Sequence, residues 1–322
     1  MQKIATLLLI YALSCFSLMG QSYSAPGKQK VISLEGIWKF GLDPSSTGIS
    51  SNGVQIMPAL GEEITLPGST DQAAKGYRTQ GMTSLRLARL FEYQGAAWYE
   101  KEVYVPREWQ GSNIELFLER AHWQTQVWVN EHFAGERESL SVPHRYPISN
   151  WIRPGEKNRI RIRVDNRVIH DVGYTHALSA ETQTNWNGII GKIGLRAFDK
   201  VYIHDVQVYP DAKNKLARIS LVIRNPGRKP TNGSLTLSAR AGGAEIPSRT
   251  FDVAIADSVT IFTCDWPLGD SVRMWDEFHP VLYDAKIKLT CRSGDVTSED
   301  TRALKFGVRT LATKGTQFRI ND

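Results

Sequence analysis

The sequence predicts an all-β protein built as two consecutive β-sandwiches. Between Ile114 and Asn166, three segments alternate apolar and polar residues with a period of two and are separated by Gly, Pro and Asn. That is the pattern of half-buried antiparallel strands. Beyond Pro210, the segments RISLVIRN, SLTLSAR, TFDVAIA, VTIFTC, LYDAKIKLTC and LKFGVR recur with turn residues between them, at the roughly ten-residue spacing of a seven-stranded immunoglobulin-like sandwich. No stretch carries the periodicity of an amphipathic helix of useful length.

Taken in order, the chain opens with Lys3 and the short apolar run Ile4 to Leu13, too brief to span a bilayer. A positive start, a short apolar core and small residues at Gly20 or Ser24 define a signal peptide over residues 1–20, so export to a periplasmic or extracellular space is expected. Cys15 does not fit a lipoprotein site, because Leu13 stands in the wrong place ahead of it. Structure begins at SLEGIWKFGLDP, where Ile37, Lys39 and Gly41 alternate with Trp38, Phe40 and Leu42 before Asp43-Pro44 ends the strand. A Gly/Ser-rich loop follows from Ser45 to Glu63, then a short strand closed by Pro67-Gly68. The next polar segment runs to Gly95, and WYEKEVYVP forms a strand with Tyr99, Val103 and Val105 on one side.

In the central stretch Ile114, Leu116 and Leu118, then Val127 and Val129, then Ile160, Ile162 and Val164 supply the inward faces. Glu115, Glu119, Arg159, Arg161 and Arg163 are expected to face water. Asn130, between two strands, suits a turn with positive φ. Arg167 to Gly194 reads as a second long irregular segment rich in His, Thr, Gln and Asn, the kind of loop on which sites sit. Val201 to Tyr209 returns to strand, and a boundary near Pro210 divides the domains into 28–210 and 211–310.

The formal charge of +6 over 322 residues is modest, and the basic residues do not cluster in a run; this argues against a nucleic-acid partner. Export permits disulfides, but Cys264 and Cys291 end separate predicted strands. If the intervening connection folds back, they lie about 33 Å apart at strand rise, so two reduced, buried thiols are expected. His170-Asp171 and His204-Asp205 are not read as acid/base pairs, since strand neighbours point to opposite faces. Gly188, Gly191 and Gly194 lack the spacing of a phosphate loop. No His, Cys and Asp cluster has metal-ligand spacing, so neither metal nor cofactor is expected.

The ordered series SLEGIWKFGLDP, LPGSTD, AAWYEKEVYVPREW, VWVNEHFAG, SLSVPHRYPIS, PGEKNRIRIRVDN and NWNGIIGKIGL resembles the N-terminal sugar-binding domain of glycoside hydrolase family 2, the β-galactosidase and β-glucuronidase family. WDEFHPVLYDAKIKL and KFGVR resemble the end of that family's immunoglobulin-like domain. The resemblance implies a jelly-roll, galactose-binding-like sandwich followed by an immunoglobulin-like one, with a β-linked glycan as partner. It also implies that 311–322 is the start of a (β/α)₈ barrel whose two catalytic glutamates this sequence does not contain. Retaining hydrolysis needs two carboxyl groups about 5 Å apart, so no catalytic residue is assigned, and the expected role is non-catalytic support of a sugar pocket. A free-standing carbohydrate-binding protein is the alternative. Sugar contacts are expected from His176, Asn185, Trp186 and Asn187, because an indole flanked by amides can stack on a sugar face while its neighbours bond the hydroxyls. Family members carry an Asp before this Trp and an Arg after it. Thr184 or Asn185 and then Asn187 stand there instead. Trp98, Trp128 and Trp151 are expected to be structural.

Overall fold

The computed structural model describes residues 30–48, 60–80, 89–170, 185–293 and 296–321; the expected signal peptide, Asp171 and His176 lie outside them. Among the described residues the regular structure is strand apart from one short 3₁₀ turn at Arg107–Trp109. It starts with β1 (Lys30–Ser33), β2 (Gly36–Asp43) and β3 (Glu62–Leu66), then the short pieces β4 (Gly68–Ser69), β5 (Tyr77–Arg78) and β6 (Phe91–Glu92). β7 (Ala96–Tyr104), β8 (Asn113–His122), β9 (Gln124–Val129) and β10 (His132–Glu138) follow. β11 (His144–Pro147), β12 (Lys157–Asp165) and β13 (Gly188–Phe198) complete the first sandwich. One sheet has the order β10-β9-β12-β7-β2-β3; the other runs β1-β13-β8-β11, with β4 beside β13. Between them Trp38, Phe40, Tyr99, Leu116, Leu118, Val127, Ile160 and Ile162 are buried, each worth about 2 kcal/mol of apolar transfer.

The second sandwich consists of β14 (Tyr202–Asp211), β15 (Leu216–Arg224), β16 (Thr231–Ala241), β17 (Ala244–Ile255), β18 (Val259–Pro267), β19 (Tyr283–Ser293) and β20 (Val296–Phe306). Its sheets are β14-β15-β18 and β17-β16-β19-β20, closed over Ile219, Leu221, Leu235, Leu237, Trp266 and Ile287. A hairpin, β21 (Leu311–Lys314) and β22 (Gln317–Ile320), ends the described chain.

The inward-facing sets fall where the alternation puts them, and Asn130 and Glu131 make the β9–β10 turn with φ of 47° and 72°. Four expectations need correction. The domain boundary lies earlier than Pro210, because β14 pairs with β15 and so belongs to the second sandwich from Tyr202 onward. The segment read as irregular up to Gly194 becomes strand at Gly188. Its glycines hid it, yet they are what let it pair closely: a Cβ on Gly188 would lie 2.3 Å from the Gly68 carbonyl oxygen, and one on Gly194 2.7 Å from that of Ile32. Glu115 and Arg163 are buried instead of facing water, because Arg196 stands across from Glu115 on β13 and Arg163 pairs with Asp165 at 2.7 Å. Cys264 and Cys291 are free, but Cys264 is only half-buried. They sit on different sheets, on β18 opposite Ile219 and on β19 opposite Gly233, since their connection crosses between sheets and does not fold back as a hairpin. Burial raises both thiols to about 11.

Candidate functional site

β13 enters the five-stranded sheet between two partners, Gly188 facing His122 on β8 and Ser69 on β4. The residue before it, Asn187, is fully buried. Its amide nitrogen donates to the carbonyls of Gly95 at 3.0 Å and Val164 at 3.1 Å, and its Oδ1 accepts the Tyr99 hydroxyl at 2.9 Å. Asn187 therefore ties the start of β13 to β7 and β12 in the opposite sheet. Its neighbour Asn166, also fully buried, donates to the Tyr93 carbonyl and accepts from the Gly95 amide, both at 2.8 Å. These bonds hold the loop ends that converge at this edge of the sandwich.

Anchored in this way, Trp186 lies half-buried with its indole stacked on the His122 imidazole, ring centroids 5.0 Å apart and planes inclined by 27°. Asn185 is held by Arg89, which donates to its carbonyl oxygen. His122 is 5 % exposed. Burial pushes its pKa down to about 4, Asn185 opposes that shift, and the charge of Arg89 adds to it. The imidazole is neutral at physiological pH. The two side chains face each other, close enough for Asn185 to favour the protonated imidazole, and His122 Nε2, Asn185 Oδ1 and Asp71 Oδ1 are all buried without a hydrogen bond of good geometry. Beyond His122, Trp123 turns its ring edge-on to His170, with centroids 6.1 Å apart, and His170 pairs with Glu138.

A half-buried aromatic face beside amide and imidazole groups is chemically suited to a saccharide, since an indole can cover an apolar C–H face while polar neighbours meet hydroxyls. Among the described residues no group of His, Cys, Asp and Glu is placed to hold a metal ion.

Comparison with known proteins agrees with this architecture. The family model described as "Glycosyl hydrolases family 2, sugar binding domain" matches residues 31–195, and the one described as "Glycosyl hydrolases family 2" matches residues 201–309. The chain belongs to glycosyl hydrolase family 2. Among curated family 2 relatives, a β-glucuronidase of Paenibacillus borealis is 23% identical over 91% of this chain and 48% of its own length. A β-galactosidase of Thermoanaerobacter pseudethanolicus is 25% identical over 68% of this chain and 29% of its own. The solved β-glucuronidase of Bacteroides uniformis superposes with a TM-score of 0.69 at 17% identity, covering 91% of this chain and 34% of that one. That of Ruminococcus gnavus gives 0.67 at 20%, covering 91% and 47%. The family 2 chain thus spans about half the length, or less, of the relatives it matches.

The sequence-predicted contacts of this family 2 domain separate in the structure. Trp186 and Asn185 come together beside His122. Asn187 points inward, its amide fully engaged by protein groups, so here it positions the strand and offers nothing to a ligand. Sequence reasoning missed His122, Trp123 and Arg89. His122 closes an alternating strand and looks like an ordinary strand end. Arg89 reaches Asn185 from 96 residues away, and no local pattern signals such a contact.

Proposed function

We propose that this chain is the non-catalytic N-terminal part of an exported family 2 β-glycosidase of β-galactosidase or β-glucuronidase type, in which it walls and completes the sugar pocket beside a catalytic barrel. The observation that carries this reading is the half-buried Trp186 stacked on His122 where the loop ends converge, with the Asn185 side chain beside them. A pyranose laid on the open part of Trp186 would bring its hydroxyls to the edge where Asn185 and His122 meet, and a neutral imidazole can accept or donate. Glu138, the acid of this cluster, is engaged by His170. Retaining hydrolysis needs a second carboxyl about 5 Å from the first, so the chain alone is expected to bind sugar and not to cleave glycosides. The activities of the β-glucuronidase and β-galactosidase relatives support the β-glycosidase class.

Isothermal titration of the chain with galactose and with glucuronic acid tests this, alongside His122→Ala and Trp186→Ala. Millimolar binding weakened at least about tenfold in either variant is the expected result. Micromolar binding by the chain alone would instead favour a free-standing carbohydrate-binding protein. Release of nitrophenol from a nitrophenyl β-galactoside above a mock preparation would overturn the non-catalytic assignment.

A further inference from the structure

The seam between the two sandwiches gathers arginines whose guanidiniums the fold leaves with few hydrogen-bond acceptors. On the outer face of the five-stranded sheet, Phe117 stands across from Arg145, and Glu115 from Arg196. The Arg196 guanidinium lies 3.2 Å from the centroid of the Phe117 ring and that of Arg145 5.4 Å from the same centroid. The second sandwich brings Arg302 to 5.8 Å from the Phe198 ring and sets Arg224 opposite Tyr202. Tyr202 stacks on Phe198 at 4.5 Å, and His204 lies edge-on to Tyr202 at 6.4 Å.

His204 is aimed there by a β-bulge. The register of β14 against β15 jumps between Ile203 and Asp205, so Ile203 and then Val206 both serve the core while His204 is left over. Its half-buried imidazole is kept neutral by burial and by Arg145, Arg224 and Arg302, against Asp205.

Four guanidiniums at this seam face the buried Glu115 and the partly buried Asp300, with Glu119 and Asp205 also acting on the cluster. Asp300 is committed, accepting the Ile203 amide at 2.8 Å and Arg302 at 3.3 Å. Glu115 is 7 % exposed, Arg145 stands 3.9 Å from its Oε1, and that oxygen has no hydrogen-bond partner. Arg302 spends its donors on the Ile203 carbonyl. Among the described residues, Arg145, Arg196 and Arg224 donate no hydrogen bond to protein, although each guanidinium carries five N–H groups. Stacked on a ring and with donors free, they are arranged as guanidiniums are for planar or tetrahedral oxyanions. Burial holds Arg196 down at about 10, with Arg145 and Arg302 adding to the shift and Glu115 and Glu119 opposing it.

We propose that this seam binds an oxyanion, the carboxylate or sulfate ester of an acidic saccharide or the corresponding free ion, through Arg145, Arg196 and Arg224, with His204 at its rim. Such a ligand bridges the two sandwiches, since its donors come from β11 and β13 on one side and β15 on the other. This site stands independently of the sugar pocket at Trp186.

Thermal unfolding of the chain in sodium sulfate, sodium glucuronate and a chondroitin sulfate disaccharide, against sodium chloride of equal ionic strength, tests it. Sulfate also stabilises proteins by exclusion from their surface, so the comparison with variants decides. The expected result is a saturable rise in midpoint, with apparent affinity falling at least tenfold in Arg145→Gln/Arg196→Gln and in Arg224→Gln, and unchanged in Arg240→Gln on the far sheet. Two-dimensional NMR of the imidazoles gives a second readout: saturation raises the His204 pKa. A disaccharide binding tenfold tighter than sulfate identifies an acidic glycan as the source, and equal affinities identify the free ion. A sulfate effect identical in wild type and both arginine variants, with His204 unmoved, would overturn the site.

Discussion

The first sandwich buries Asp43, His122, Thr125, Asn158, Asp165, Asn166 and Asn187, whereas the second buries, among its described polar residues, only Asn225, Thr231 and Ser298. Both have ordinary apolar cores between antiparallel sheets, so the difference lies in what each must hold in place. A buried polar group costs a few kcal/mol unless its hydrogen bonds are met, and in the first sandwich Asp43, Asn158, Asn166 and Asn187 meet them largely with backbone at loop ends, while Thr125 and Asp165 bond neighbouring side chains. Asp43 accepts from Thr47, Gly48 and the Trp98 indole, Asn158 from the Arg153 amide, and Asn187 reaches across the sandwich. The polar interior is a set of ties for long loops, and the candidate sugar site grows from their ends. The second sandwich joins its strands mostly by shorter turns and needs few such ties.

The sharpest way to break this contrast is Asn187→Leu. It would strand the Tyr99 hydroxyl and the carbonyls of Gly95 and Val164, at a cost of about 4 kcal/mol, visible as a lower midpoint in urea. In the second sandwich a loss of similar size should require an apolar truncation: Leu235→Ala is expected to cost about 3 kcal/mol, with the sugar-binding readout unchanged.

Acid should separate the two halves next. His122 has a folded pKa depressed to about 4 by burial, so the stability it contributes is whole above pH 6.5 and is lost as pH falls from there toward 4. Asp43 and Asp165 come below that range. Burial raises both, but hydrogen bonds from Trp98, Gly48 and Thr47 at Asp43, and from Arg167 at Asp165, hold them below the usual carboxylate value. Their stabilisation is complete above about pH 4 and disappears as pH falls through the folded values. Stability measured by urea denaturation should therefore decline from pH 6.5 downward by up to about 3 kcal/mol, and His122→Gln should remove the first part of the decline. The acids with lowered values in the second sandwich, Asp211, Asp265 and Asp276, lie at the surface, half-exposed or exposed, where solvent screens their partners, and should add little. The smallest effect belongs to the thiols: Cys264→Ser should change stability by about 1 kcal/mol, and an Ellman titration of the native chain should be slow at both Cys264 and Cys291.

Much of this was legible in the chain itself. Alternation at Ile114, Leu116 and Leu118 and at Ile160, Ile162 and Val164 determined which faces are buried, because a strand's side chains alternate by geometry alone. Asn130 announced its turn, and Trp186 among amides marked the loop that leads into the site. Those readings depend on local backbone chemistry, which neighbouring residues encode.

Other features required the assembled molecule. Glycines at 188, 191 and 194 looked like loop and proved to be strand, since at 188 and 194 their value lies in backbone approaching backbone from distant segments and at 191 in room for the Glu119 side chain. Glu115 and Arg163 obey the alternation yet are covered, one at the domain seam and the other beside Asp165, and alternation is silent about what covers an outer face. Asn187 turned inward, Arg89 arrived from far along the chain, and His122 became half of the stack. The sequence by itself therefore determined the strands, their faces and the family. Only the tertiary structure decided which polar residues brace the loops and which stand beside the Trp186 face, because that depends on partners brought together from distant parts of the chain.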